Sequence, residues 1–560
     1  MLQKRNYFPL YIFLISWFII NIIQAAFLGV DGDEAYYWMF SKKLDWGFFD
    51  HPPFVALLIK FGESFGHGPV YTRLGTVVLT TATAFIIFIG LPEKLKDVKY
   101  FAWLFPSILI INVYGFITTP DAPLFFFSAL FFLGYKRYLE KDNILTIILL
   151  SAAITGMIYS KYHGILPVIF VLLSNVQLLK RKSFWLIILI VMLLFIPHIH
   201  WQYEHDWPTL RFHLFERGLR KYKINFTLDY ILGQLLIWGP IISFFFYHKA
   251  IKITTEEKLI KAHVFNFWGV LIIFLLSSFK NHVEAHWTLV AGTSFIVLFM
   301  DIIHKADEKR KSVFVTLAKI NITLILTLRI LLIVPGIPID KINNYKPFVH
   351  GKSWADSIYK YAGQTPVIFT DSYILPSIYQ YYHPNATAIG YNTKNYRKTQ
   401  YSINHTERDL KGKNILWFND SISKTVPQII SPLKSGNLIP ISNYCAVNDL
   451  EIEVKNLPEI FLLNDTVNIH LVIRNLNNDG IINDGRLSIS YSFSKYSYVV
   501  SEGAHTVELP KGLFTARDSF TMPVKIIAPK EKGSTRLLFS INNGILPGNF
   551  ASQYYNIKVE

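Results

Sequence analysis

Three carboxylates fall within four positions in the run Asp31-Gly-Asp33-Glu34-Ala-Tyr36-Tyr37-Trp38, and Gly47-Phe-Phe-Asp50-His51-Pro52-Pro53 follows soon after. The run lies directly behind an apolar stretch that begins near residue 8. Acidic side chains beside hydrocarbon are costly unless solvated, paired or used. One use is general-base chemistry, in which a carboxylate accepts the proton of an attacking hydroxyl as the new bond forms. Tyr36, Tyr37 and Trp38 suit the face of a sugar-like ring, and equally a membrane-interface belt. An ordinary acidic, aromatic interfacial loop is the competing interpretation of the whole cluster.

Other polar groups recur between apolar runs. Asp121 stands between Pro120 and Pro123 in a very short connection, which by itself fits a tight turn between helices. Lys161 and His163 share the next such connection. A lone lysine there either snorkels to the interface or offers a fixed charge to a phosphate. Around residues 201–228 come Arg211, Arg217, Arg220, Lys221 and Lys223. Arginine's planar fork suits phosphate, although an amphipathic helix against lipid headgroups would look similar. The run Lys280-Asn-His282-Val-Glu284-Ala-His286-Trp287 carries Lys280 for a phosphate and Glu284 or His286 for a polar ligand. His282, Glu284 and His286 are also suitable ligand types for a divalent metal, which is the lesser reading. No metal residue is therefore assigned, and no cofactor is expected.

The elements that must hold these groups are apolar. The chain has 560 residues, 51% of them hydrophobic and only 17% charged, and runs of about 17–23 apolar residues match a bilayer's hydrocarbon thickness. About eleven spans are expected up to Pro335. Loops on one side hold Lys94, Lys96 and Lys99; Lys136, Arg137 and Lys141; Lys180 to Lys182; Lys249 to Lys261; and Lys305 to Lys311. By the positive-inside rule these face the cytoplasm, and the clusters described above face outward. Lys4 and Arg5 before the first run resemble a signal peptide, but that run is read as an uncleaved anchor. The net charge of +16 thus reflects topology and lipid phosphate rather than nucleic acid. With Cys445 as the one cysteine, no intramolecular disulfide or cysteine-based zinc site can form.

Past residue 340 the chain turns polar. Strand-like runs at Pro366–Thr370 and Asn414–Phe418, with a helical stretch around Leu375 to Tyr382, predict a small α/β region. Successive strands from Leu450 to Ile541 predict a β-sandwich. The expected fold class is a membrane all-α protein with an external α/β plus β-sandwich region. The expected domains are 1–338, 339–445 and 446–560.

The string Asp33-Glu-Ala-Tyr-Tyr-Trp38 followed by Phe49-Asp-His-Pro-Pro53 resembles the first loop of the dolichyl-phosphate-mannose-protein mannosyltransferase-like family. These are C-type glycosyltransferases, a group that includes the aminoarabinose transferase acting on lipid A. Arg73, Thr119–Pro123, Ser160–Gly164 and Lys280–Trp287 extend the resemblance over roughly residues 1–335. It implies an inverting transfer from a polyprenyl-phosphate sugar such as undecaprenyl phosphate, with Asp33 as the catalytic base. Substrate contacts then fall to Glu34, Tyr37, Asp50, His51, Arg73, Asp121, Lys161, His163, Arg211, Arg217, Lys280, Glu284 and His286. Relatives often place a lysine where this chain has His51, which loosens the phosphate assignment there.

The expected activity is glycosyl transfer at the outer face of the bacterial cytoplasmic membrane. The acceptor is a lipid, a protein or a glycan, so lipopolysaccharide modification and protein glycosylation both stay open. A transporter or flippase of lipid-linked saccharide is the alternative. It would favour ionisable residues near the midplane and repeated halves. No Walker-type loop is present, which argues against an ATP-driven pump.

Overall fold

The computed structural model describes residues 7–213, 222–334, 342–421, 426–495, 498–502 and 507–560. They form two compact units, one ending at Val349 and the other beginning at His350.

The first unit is helical: α1 (Phe8–Phe27), α2 (Gly32–Lys42), α3 (Phe54–Glu63), α4 (Pro69–Gly90), α5 (Val98–Leu104), α6 (Leu109–Tyr114), α7 (Asp121–Glu140) and α8 (Ile144–Ser160). There follow α9 (Leu166–Ser174), α10 (Lys182–Glu204), α11 (Pro208–Arg211), α12 (Ile224–Ile237), α13 (Ile242–Ala250), α14 (Lys258–Ser278), α15 (Gly292–His304) and α16 (Glu308–Ile333). Helix α1 shows why lipid is its solvent. Ile12, Ile15, Ile19 and Ile23 are exposed, whereas Leu14, Trp17, Asn21 and Gln24 are buried. Apolar residues point out and amides point in, where polar side chains bind helix to helix.

Among the described residues, six helices are long and apolar enough to cross a membrane: α1, α4, α10, α14, Ala285–His304 and α16. A seventh arises if α12 and α13, bent by 105°, form one broken span. The bend falls at Gly239, whose φ is +106°. A Cβ there would lie 2.7 Å from the Ser107 carbonyl oxygen. Two expected spans are fragmented. Residues 100–118 divide into α5, a 3₁₀ turn at Phe105–Ser107 containing Pro106, and α6. Residues 163–179 divide into α9, which contains Pro167, and flanking 3₁₀ turns. Proline removes a helix donor and crowds the preceding turn, and a hydropathy count does not see that. Between α1 and α4 the chain forms the two short helices α2 and α3.

In the second unit, α17 (Lys346–Ala362) leads toward β1 (Val367–Thr370), followed by α18 (Ile374–Tyr382) and β2 (Ala388–Tyr391), with β3 (Ile415–Asn419), β4 (Gln428–Ile429) and β5 (Gly436–Ile441) beyond. The sheet order is β2-β1-β3-β5-β4. β1 runs parallel to both β2 and β3, and β5 runs antiparallel to β3. From Leu450 onward every regular element among the described residues is a strand. One sheet is built on the Leu487–Lys495 and Gly533–Asn543 pair, and another on Thr466–Asn475 between Leu450–Lys455 and Ser519–Ile527.

Candidate functional site

The acidic run is the start of a helix. Asp31 is the N-cap of α2, its carboxylate accepting from the Asp33 N–H at 3.3 Å, and Glu34 accepts from the Asp31 N–H at 3.0 Å. This reciprocal box satisfies two of the free donors at a helix start. It leaves Asp33 in the first turn, half-buried, where the helix dipole favours negative charge. Burial, then Asp33 and Glu34, push the Asp31 carboxyl up to about 7.

Glu34, expected to support Asp33 or to contact the acceptor, and Arg73, expected to touch substrate, are paired with each other in the structure. Their side chains are fully buried. Arg73 Nε donates to Glu34 Oε1 at 2.8 Å and Nη2 to Oε2 at 2.5 Å. The remaining guanidinium hydrogens reach the Ala25, Leu28 and Gly29 carbonyls at 3.2, 2.6 and 2.6 Å. Glu34 Oε1 also accepts from the Thr118 N–H at 2.8 Å. Every donor of the arginine is used, so the pair offers nothing to a ligand. It ties the end of α1, the start of α2, α4 and the turn before α7 to one point, and so fixes where Asp33 stands.

A second cluster gathers around Asp121 at the start of α7. Lys161, at the end of α8, donates to both Asp121 carboxylate oxygens at 2.8 Å. His286 Nε2 lies 3.8 Å from Asp121, and its ring rests 5.0 Å from that of Tyr114. The buried Tyr114 hydroxyl feels Asp121 and, less strongly, Asp31, Asp33 and Glu284. His51, hydrogen-bonded to the Tyr37 hydroxyl at 3.1 Å, feels Asp50, Lys161, His213 and Asp121. Burial first, then Lys161 and His213, push its imidazole down to about 3, so it is neutral. The His163 Nε2 is buried with no hydrogen-bond partner among the described residues. It too lies in the field of Lys161, Asp121, His286 and His51.

Outlying residues divide. Asp50 is buried, and its carbonyl faces His213 at 3.4 Å. Arg211 is exposed and held by both carboxylate oxygens of Asp206, one at 2.7 Å. Lys280 is exposed, and Glu284 faces His282 at 3.5 Å. Arg217 lies outside the described residues. His286 turns to Asp121 and away from the His282–Glu284 pair. Among the described residues, no group of three or more His, Cys, Asp or Glu could hold a metal ion. Tyr114, central here, escaped sequence reading because an aromatic at a helix end carries no spacing signal.

Residues 50–201 match the family described as dolichyl-phosphate-mannose-protein mannosyltransferase. Over 288 residues, 47% of this chain, the sequence is 24% identical to lipid A galacturonosyltransferase RgtD of Rhizobium johnstonii, and the match spans 59% of that relative's length. The fold resembles crystal structures of ArnT from Cupriavidus metallidurans in the apo state and bound to undecaprenyl phosphate. Both give a TM-score of 0.56 at 11% identity, covering 77% and 78% of this chain and 97% and 98% of theirs. The chain thus shares the fold of these ArnT structures, a set of apolar helices followed by a sheet-rich C-terminal region, and carries a segment similar to the mannosyltransferase family.

Proposed function

We propose that the protein is an integral-membrane glycosyltransferase that moves a sugar from a polyprenyl-phosphate donor to an acceptor, with inversion at the anomeric carbon. The observation that carries this is the buried Lys161–Asp121 pair among apolar helices, together with the half-buried Asp33 at the start of α2. The acceptor oxygen attacks the anomeric carbon while its proton passes to Asp33. The bond from that carbon to the phosphate oxygen breaks, and the electron pair stays on the lipid phosphate. Preorganised positive charge stabilises that leaving group. Lys161 supplies the charge, and His51 and His163 supply uncharged imidazole nitrogens to the phosphate or sugar.

Of the three acceptor classes, a lipid is the one favoured by the description of the galacturonosyltransferase relative. The basic loops support a cytoplasmic-membrane location with the site facing outward. On this reading α7, α8, α9 and the fragmented α5–α6 also cross, giving about eleven crossings. The C-terminal strands then form an external sandwich, with domains meeting near residues 338 and 445.

The test is Asp33→Asn in purified protein with a polyprenyl-phosphate sugar. Transfer should fall by about 10²- to 10⁴-fold, the usual worth of a general base, while donor binding is retained. Unchanged turnover removes Asp33 from the reaction.

A further inference from the structure

Residues 43–53 form no regular helix or strand, so their backbone carbonyls need partners from elsewhere. Three alternate ones find them in a single stretch of chain. His198 Nδ1–H donates to the Trp46 carbonyl at 2.6 Å, Thr209 Oγ1–H to the Phe48 carbonyl at 3.2 Å, and His213 Nε2–H to the Asp50 carbonyl at 3.4 Å. Carbonyls only accept, so each bond fixes its donor. Nδ1 of His198 must carry a hydrogen, and Nε2 is left facing the Tyr162 hydroxyl at 3.0 Å. Gln202 braces the set, donating to Tyr162 at 3.2 Å and to Thr209 at 2.7 Å. Trp201 lies flat on Gly47, where any Cβ would fall 2.4 Å from the indole. His51 closes the turn by accepting from the Phe48 N–H at 3.0 Å.

We propose that His198, Gln202 and Thr209, with His213, are positioning residues: a latch from the end of α10 that sets the backbone of residues 46–51 and thereby the place of His51 against the Tyr37 hydroxyl. The latch rests on the glycosyltransferase reading for its consequence but not for its existence. It makes α10 and the turn after it part of the site's geometry without touching the reacting atoms. A loop held by three bonds at every second residue has one register, and losing one of them lets the imidazole wander by a fraction of an ångström. Misplacement of that order is expensive in catalysis.

The test uses full-length protein bearing His198→Phe, His198→Asn, Thr209→Val, His51→Ala, and His51→Ala combined with His198→Phe. Two quantities are read: amide hydrogen exchange of residues 46–51, and transfer from a polyprenyl-phosphate hexose. His198→Phe and Thr209→Val should each speed exchange by about tenfold, the loss of one hydrogen bond. Transfer should fall by about 10- to 100-fold with little change in donor KM. His198→Asn, whose amide nitrogen can occupy the place of Nδ1, should recover transfer relative to His198→Phe. In the His51→Ala background, His198→Phe should cost nothing further. A merely structural histidine would lower transfer equally in both backgrounds, which overturns the proposal. Unchanged exchange in both His198→Phe and Thr209→Val also overturns it, and Thr209→Val serves alone if the bulkier variant does not fold. Faster exchange in a protein that transfers no sugar supports the latch and discards the glycosyltransferase reading instead.

Discussion

Asp31 and Asp33 are two carboxylates at one helix start with different work. Asp31 caps α2 and is pushed up to about 7, first by burial and then by Asp33 and Glu34. Below that pH it is neutral, and above it a second negative charge stands beside Asp33 and makes Asp33 the better base. Transfer should therefore rise as pH climbs through about 7. Asp31→Asn should erase that rise while leaving activity below it, as a pH–rate profile of the two proteins would show; an unaltered profile would assign the titration elsewhere. The motif made these residues visible, because three carboxylates behind an apolar run demand an explanation. It did not divide the labour among them. The resemblance left Glu34 either supporting Asp33 or contacting the acceptor, and the fully used hydrogen bonds of Arg73 favour the supporting role.

Helices α3 and α4 pack backbone against backbone. A Cβ on Gly62 would lie 1.9 Å from the Tyr71 carbonyl oxygen, and one on Gly75 would lie 2.6 Å from that of Leu58. Backbone cannot swing aside as a side chain does, so Gly62→Ala should cost about 3 kcal/mol or more. Gly90→Ala, in the same α4 but 3.9 Å from its nearest neighbour, should be close to neutral. Thermal unfolding in detergent compares the two, and equal melting temperatures would contradict the close approach. The apolar helices themselves were legible, since lipid selects for length and hydropathy. Their breaks were not. Pro106, Pro167 and the Gly239 bend interrupt runs whose composition reads as continuous, and α2 and α3, 11 and 10 residues long, are too short to stand out by that measure.

Across the molecule, the second unit carries its own pH dependence. Glu407 is buried and accepts from the Tyr444 hydroxyl at 2.5 Å and from the Val447 and Asn448 N–H groups at 3.0 Å each. Burial outweighs these bonds and pushes the carboxyl from 4.5 up to about 7. Between those values the folded protein holds a proton that the unfolded chain has lost. Stability of this unit should accordingly fall as pH rises from about 4.5 to 7. Glu407→Gln should flatten that slope in melting curves taken across the range; a slope unchanged by the substitution would place its origin in another group. Nothing in Thr406-Glu-Arg-Asp409 signals this burial in the sequence.

The sequence alone determined what the chain is solvated by, where its polar chemistry is concentrated and the strands of its C-terminal region, because each of these is written in local composition and period. Tertiary structure decided which residues meet. Lys161 and Asp121 lie 40 positions apart, and Glu34 and Arg73 lie 39 apart. His198 reaches Trp46 across 152 positions. Such pairings depend on helices crossing in space. Identical side chains therefore become a brace, a counter-charge or a latch according to the neighbours that folding delivers.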